Sequence, residues 1–144
     1  MWSTEIENIV VTSENFLGCF PLDELPYFPQ RLPATLIVNT DISTQNGKHW
    51  LALLLDKDKC LYFDSFGLPI VEELLLKYLE PRYNVVTYSD VCIQHLKSDK
   101  CGEFCILFVK HVKSKTTYDK FLSHFNHKNL KENDVIVEQW MGNV

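Results

Sequence analysis

The chain has 144 residues, 46% of them hydrophobic, and a formal net charge of −5 at pH 7. That length builds one domain over 1–144, with a full core and no need of a disulfide or metal staple. The composition excludes a disordered or membrane-spanning chain, and Glu5 and Glu7 speak against a signal peptide. In chain order, residues 3–11 open with Ser3 or Thr4 as a cap and predict a short helix. Residues 13–33 carry Pro21, Pro26, Pro29 and Pro33 among aromatics. They predict an ordered loop without regular structure, packed by Phe16, Phe20, Tyr27 and Phe28.

A buried strand is expected over 34–39, a polar turn over 40–47 and a second buried strand over 48–56. Asp56 to Lys59 make a tight turn into a third strand ending at Asp64, which Ser65-Phe66-Gly67 breaks. Pro69 suits the first turn of a helix whose pattern runs over 70–80 and stops before Pro81. Residues 83–88 alternate as a strand. An amphipathic helix is predicted over 116–127 through Tyr118, Phe121, Leu122 and Phe125, and a last short one over 134–141. Strands come first and the main helices later, so the class is α+β.

The stretch from Gln94 to His111 changes character at Cys101. Before it the chain is polar and reads as a loop. After it Phe104, Cys105, Phe108 and Val109 recur at helical spacing, with Ile106 and Leu107 on the other side, which describes a core helix. Cys101 thus stands where a loop enters a buried helix. Unpaired backbone N–H groups and the positive end of the helix dipole favour a thiolate at such a place. Gly102 lets another chain approach closely. Gln94 offers an amide that can reach back as an oxyanion donor.

His49 starts one strand and Asp64 ends the next. If the two strands pair about the 56–59 turn, residue 49 falls opposite 66 and residue 51 opposite 64. A carboxylate there fixes the imidazole tautomer and leaves the other nitrogen for a thiol proton. Cysteine hydrolysis needs this set: nucleophile, base, orienting acceptor and oxyanion donor. Each residue also has a structural reading: a strand histidine, a turn aspartate, a solvated glutamine, a small buried thiol. Cys92, His95, Cys101 and Cys105 can be drawn as a zinc site, but Cys105 lies a turn into an apolar helix; no metal is expected. Five scattered cysteines make no disulfide framework and indicate a reducing intracellular compartment. The last third is faintly basic through Lys110, Lys113, Lys115, Lys120, Lys128 and Lys131, short of a dense nucleic-acid face.

Gly47-Lys48-His49-Trp50, Tyr62-Phe63-Asp64-Ser65-Phe66-Gly67 and Gln94 followed by Cys101-Gly102-Glu103-Phe104-Cys105 resemble the adenovirus maturation proteases, the adenain family. Phe16-Leu17-Gly18 and Ile37-Val38-Asn39-Thr40 resemble it too, and a looser form of the signature marks the proteases that remove SUMO. The resemblance implies a permuted papain-like fold, a small mixed sheet packed against a central helix that starts at the nucleophile. It implies His49, Asp64 and Cys101 as triad, Gln94 in the oxyanion hole, and Trp50 with Gly102 at a narrow substrate channel. The implied activity is a cysteine endopeptidase cutting viral or virus-like capsid or core precursors after small residues such as Gly. The alternative is deconjugation of SUMO or another ubiquitin-like protein. The implied setting is a monomer in the host nucleus or virion, with a protein substrate and no membrane partner. The sequence shows no required cofactor. The resemblance brings an activating peptide and DNA stimulation with it, but the peptide-linking cysteine has no clear counterpart here, and the acidic balance argues against DNA. The chain is also shorter after the catalytic helix, and its triad carboxylate is Asp where human-type adenoviral enzymes use Glu.

Overall fold

A computed structural model of the chain describes residues 1, 3–10, 12–40, 49–84, 86–88 and 90–143. The elements are α1 (Ser3–Val10), β1 (Phe16–Pro21), β2 (Ala34–Asn39), β3 (Trp50–Leu55), β4 (Cys60–Phe63), α2 (Glu73–Leu79), β5 (Val86–Tyr88), α3 (Cys101–His111), α4 (Lys115–Leu122) and α5 (Lys131–Met141). The expected turn over 40–47, with Gly47 and Lys48 of the first motif, lies outside the described residues beyond Thr40, as do Val11 and Val85. The strands form one mixed sheet in the order β1-β2-β3-β4-β5. β1–β2 and β4–β5 are parallel, and the two inner pairs are antiparallel.

β3 is Trp-Leu-Ala-Leu-Leu-Leu without a polar residue because both of its faces are covered. Trp50, Ala52 and Leu54 pack with α3, α1 and the aromatic residues of α4 and α5; Leu51, Leu53 and Leu55 pack with α2 on the opposite face. α3 is the buried axis of the first layer: Phe104, Cys105, Ile106, Leu107, Phe108 and Val109 are each fully buried. Burying a large apolar side chain contributes about 1.5–3 kcal/mol, so this helix is fixed by packing rather than by intrinsic propensity. Phe63 of β4 stacks on Phe108 at 5.1 Å, and Tyr118 and Phe121 close edge-on around the pair. No helix of the described residues is long and apolar enough to cross a membrane.

The hairpin register follows the expectation. Ala52 pairs with Phe63 and Leu55 with Cys60, which extrapolates to 49 opposite 66. Several boundaries differ, and the strand expected over 83–88 begins only at Val86. The expected loop over 13–33 contains β1, because Phe16 to Phe20 is free of proline and Pro21 stands at the end of an edge strand, where no ladder donor is missed. The proline-rich remainder is the crossover that a parallel β1–β2 pair requires. α2 begins at Glu73 rather than near Pro69. α4 ends at Leu122, and α5 starts three residues ahead of expectation, at Lys131.

Candidate active site

β3 and β4 end at the same edge of the sheet as the start of α3. His49 directly precedes Trp50, and Asp64 directly follows Phe63, so the hairpin carries both to its open end. His49 Nε2 lies 2.8 Å from Asp64 Oδ1, with both side chains mostly buried. Phe66 packs its ring on the imidazole at 4.9 Å. Asp64 Oδ1 also accepts the Phe66 N–H at 2.8 Å, and the Asp64 carbonyl accepts Gly67 N–H at 2.8 Å. The tight 64–67 turn therefore aims the carboxylate. With Nε2 held by Asp64, Nδ1 is the nitrogen left for a thiol.

Cys101 supplies that thiol, close enough to the imidazole to raise its pKa alongside Asp64. Burial lowers the His49 pKa, but the hydrogen bonds and charges of Asp64 and Cys101 outweigh it and raise the group from 6.5 to about 9. Such an imidazole holds a proton firmly, which suits the acceptor of a thiol proton. Lys100 caps α3 without a side-chain acceptor, so no cap takes the first-turn amides beside the sulfur.

Gln94 is 1% exposed and bound on both sides of its amide. Ser65 Oγ–H donates to its Oε1, and its Nε2 donates to the Ser98 carbonyl at 3.0 Å. One N–H of Nε2 thus positions the side chain, leaving a second donor. The Ser65 carbonyl accepts both Ile93 N–H at 2.9 Å and Gln94 N–H at 3.0 Å, tying the loop that carries Gln94 to the turn that aims Asp64. Ser65 is the site residue that sequence reasoning missed. It read as part of a strand-breaking turn, and no local pattern marks its partner 29 residues on.

Trp50 and Gly102 both meet Met1. Trp50 Nε1–H donates to the Met1 carbonyl at 3.3 Å, and a Cβ at Gly102 would stand 3.1 Å from Met1 Sδ and 3.4 Å from Ile6 Cδ1. The chain that approaches Gly102 closely is thus the N-terminal segment. The members of the drawn zinc set have other partners. Cys105 is wholly buried in α3, the Cys92 thiol donates to the Gln94 carbonyl at 3.2 Å, and His95 Nδ1 accepts Lys97 N–H.

Residues 16–136 match the family model described as adenovirus endoprotease. The chain belongs to that family. Among relatives of this adenovirus endoprotease family member, the protease of Frog adenovirus 1 is 32% identical over 125 residues, 73% of this chain and 60% of that protein. The "SUMO-1 cysteine protease S273R" of African swine fever virus (isolate Pig/Kenya/KEN-50/1950) is 29% identical over 99 residues, 60% of this chain and 36% of that protein. The crystal structure of the African swine fever virus pS273R protease aligns with a TM-score of 0.46 at 22% identity, over 67% of this chain and 40% of that one. The chain therefore matches little more than a third of the swine fever virus protein and 60% of the frog adenovirus protein.

Proposed function

We propose that the chain is a cysteine endopeptidase that cleaves viral or virus-like capsid or core precursors after small residues such as Gly. One observation carries the reading: His49 holds a 2.8 Å contact with the Asp64 carboxylate and has Cys101, at the start of α3, close enough to raise its pKa. In this mechanism His49 takes the Cys101 proton and the sulfur attacks the scissile carbonyl carbon. The free Nε2 donor of Gln94 and the Cys101 backbone N–H receive the negative oxygen. His49 returns its proton to the leaving amine. Water, deprotonated by His49, then hydrolyses the thioester and frees the enzyme.

Trp50 and Gly102 would line the channel, with Met1 occupying the space beside Gly102. A monomer acting in the infected cell nucleus or the virion completes the reading, with activating peptide or DNA as separate additions to test. The printed name of the African swine fever virus relatives favours a second reading, hydrolysis of SUMO conjugates. A deconjugase must hold a folded body as well as an extended tail, which takes about 800 Å² of enzyme surface. A precursor protease binds an extended segment through backbone hydrogen bonds and small pockets.

The test compares kcat/KM on a free Gly-rich peptide with that on a SUMO fusion bearing a comparable scissile sequence. Equal values, or a preference for the peptide, are expected. A preference of about a hundredfold for the fusion, ~2.7 kcal/mol of transition-state binding, would replace the first reading with the second.

A further inference from the structure

The oxyanion loop is bound by a helix that supplies no triad residue. Asn133 of α5 is fully buried, an unusual place for an amide. Its Nδ2 donates to the Ile93 carbonyl and the Asn126 carbonyl, each at 2.8 Å, and its Oδ1 accepts Asn126 N–H at 2.7 Å. One side chain thus cross-links the α4–α5 connection to the residue immediately before Gln94. The next residue along α5, Asp134, accepts the Ser98 Oγ–H at 2.7 Å. One turn further, Glu138 pairs with Lys100 Nζ at 3.2 Å.

These three attachments fall at consequential points. Ile93 precedes Gln94, the Ser98 carbonyl accepts the Gln94 amide, and Lys100 precedes Cys101. Where α5 stands therefore decides where Gln94 carries its free donor relative to the thiol. Asn133, buried with its amide paired at both ends, fixes one geometry, because a shift strands a polar group away from water. The Ser98–Asp134 bond is half-buried and the Lys100–Glu138 pair lies at the surface.

We infer that α5 is the positioning element of the oxyanion loop, with Asn133 and Asp134 as positioning residues that govern the rate of bond cleavage rather than substrate affinity. The inference rests on the protease reading above. A displacement of about 1 Å in such a group costs on the order of a hundredfold in rate.

The test uses the full chain carrying Asn133→Ala, Asp134→Ala, Ser98→Ala or Asp134→Asn. Three readouts are taken: peptide kcat and KM, alkylation of Cys101 by iodoacetamide, and amide hydrogen exchange at residues 93–98. Alkylation displaces iodide and builds no oxyanion, so it reports the His49–Cys101 pair alone. Expected are a fall in kcat of about tenfold for Asp134→Ala and Ser98→Ala, and about a hundredfold for Asn133→Ala, with KM little changed. Alkylation should stay within about twofold of the parent while exchange at 93–98 quickens. Asp134→Asn keeps an acceptor for the Ser98 hydroxyl and should restore most of the rate.

Parental kcat, parental exchange in the loop, or an equal fall in alkylation and kcat overturns the inference. Asp134→Ala and Ser98→Ala, at half-buried positions, carry the test if Asn133→Ala does not fold. A parent chain that alkylates at Cys101 yet cleaves no peptide strikes the protease reading instead. Loop exchange in the variants then decides on α5 by itself: quickening upholds its hold on the loop, and parental rates end it.

Discussion

Ser65 Oγ–H donates to Gln94 Oε1, with both side chains withdrawn from solvent. The bond gives the amide a direction: oxygen toward Ser65, nitrogen toward the Ser98 carbonyl. Ser65→Ala should leave Gln94 Oε1 buried and unpaired, lowering stability by about 1–3 kcal/mol. It should also lower kcat, because the amide loses its orientation. Gln94→Ala removes the donor and should lower kcat by ~10²–10³. Urea denaturation and peptide kinetics on the two variants check both statements. A Gln94→Ala enzyme at parental kcat would remove Gln94 from the oxyanion hole.

The His49 pKa of about 9 lies above its unfolded value of 6.5, so the folded state binds that proton more tightly. Its contribution to stability is fully present below about pH 6.5 and is lost as pH rises through about 9. The alkaline limb of kcat/KM is expected near pH 9 for the coupled pair. Both features should shift downward in Asp64→Ala. A pH series of denaturation midpoints and of kcat/KM on parent and variant reads the two.

Asp64→Asn has a more specific expectation. An amide beside an imidazole can present a donor and invert the tautomer. Here the Phe66 N–H binds the same Oδ1 that faces His49. That N–H should hold the amide oxygen, not the nitrogen, toward Nε2. Asp64→Asn should therefore lose only about tenfold in kcat, against about a hundredfold or more for Asp64→Ala, with the alkaline limb lowered in both. Equal losses in the two variants would show that the Phe66 N–H does not direct the amide.

Iodoacetamide should label Cys101 first. Burial holds the thiols of Cys19 and Cys60 up at about 12 and that of Cys105 well above its ordinary value. Burial also raises Cys92, whose thiol is bonded to the Gln94 carbonyl. Thiolate is the reactive form, so these four should lag. Cys101→Ala should abolish cleavage with the fold intact, and Cys105→Ala should retain most activity. Peptide mapping after brief alkylation decides; faster labelling at Cys92 or Cys105 would unseat Cys101 as nucleophile.

Gly67 has φ +73°, and a Cβ there would stand 2.7 Å from the Val91 carbonyl carbon and 2.8 Å from Cys92 N. Gly67→Ala should cost about 2–3 kcal/mol and lower kcat, since the turn can relax only by pushing the loop that carries Gln94. Gly142→Ala, in ordinary helical backbone, should stay within about 0.5 kcal/mol of the parent. Denaturation midpoints of the two variants make the comparison.

The hairpin that pairs His49 with Asp64 was legible because its information is local. Two apolar runs and a short charged turn leave one register that keeps both faces buried. The helix at Cys101 was legible for the same reason, in its 3.6-residue spacing. β1 was hidden by the prolines that follow it, since its pairing with β2 is set by tertiary contact rather than by its own pattern. Ser65 and Asn133 were hidden because their partners stand 29 and 40 residues away, and a polar residue gives no periodic sign of a distant acceptor. Polar residues that meet water and polar residues that meet a buried carbonyl look alike in sequence.

The attachment of α5 to Ile93, Ser98 and Lys100 has a consequence for biosynthesis. Cys101, His49 and Asp64 all precede α5 in the chain and emerge from the ribosome before it. The strands pair over nearer contacts, whereas the loop waits for a helix about 40 residues downstream. A released chain truncated just before Lys131 should therefore own a reactive cysteine and still turn over peptide poorly. On the protease reading, cleavage then waits for α5 to dock.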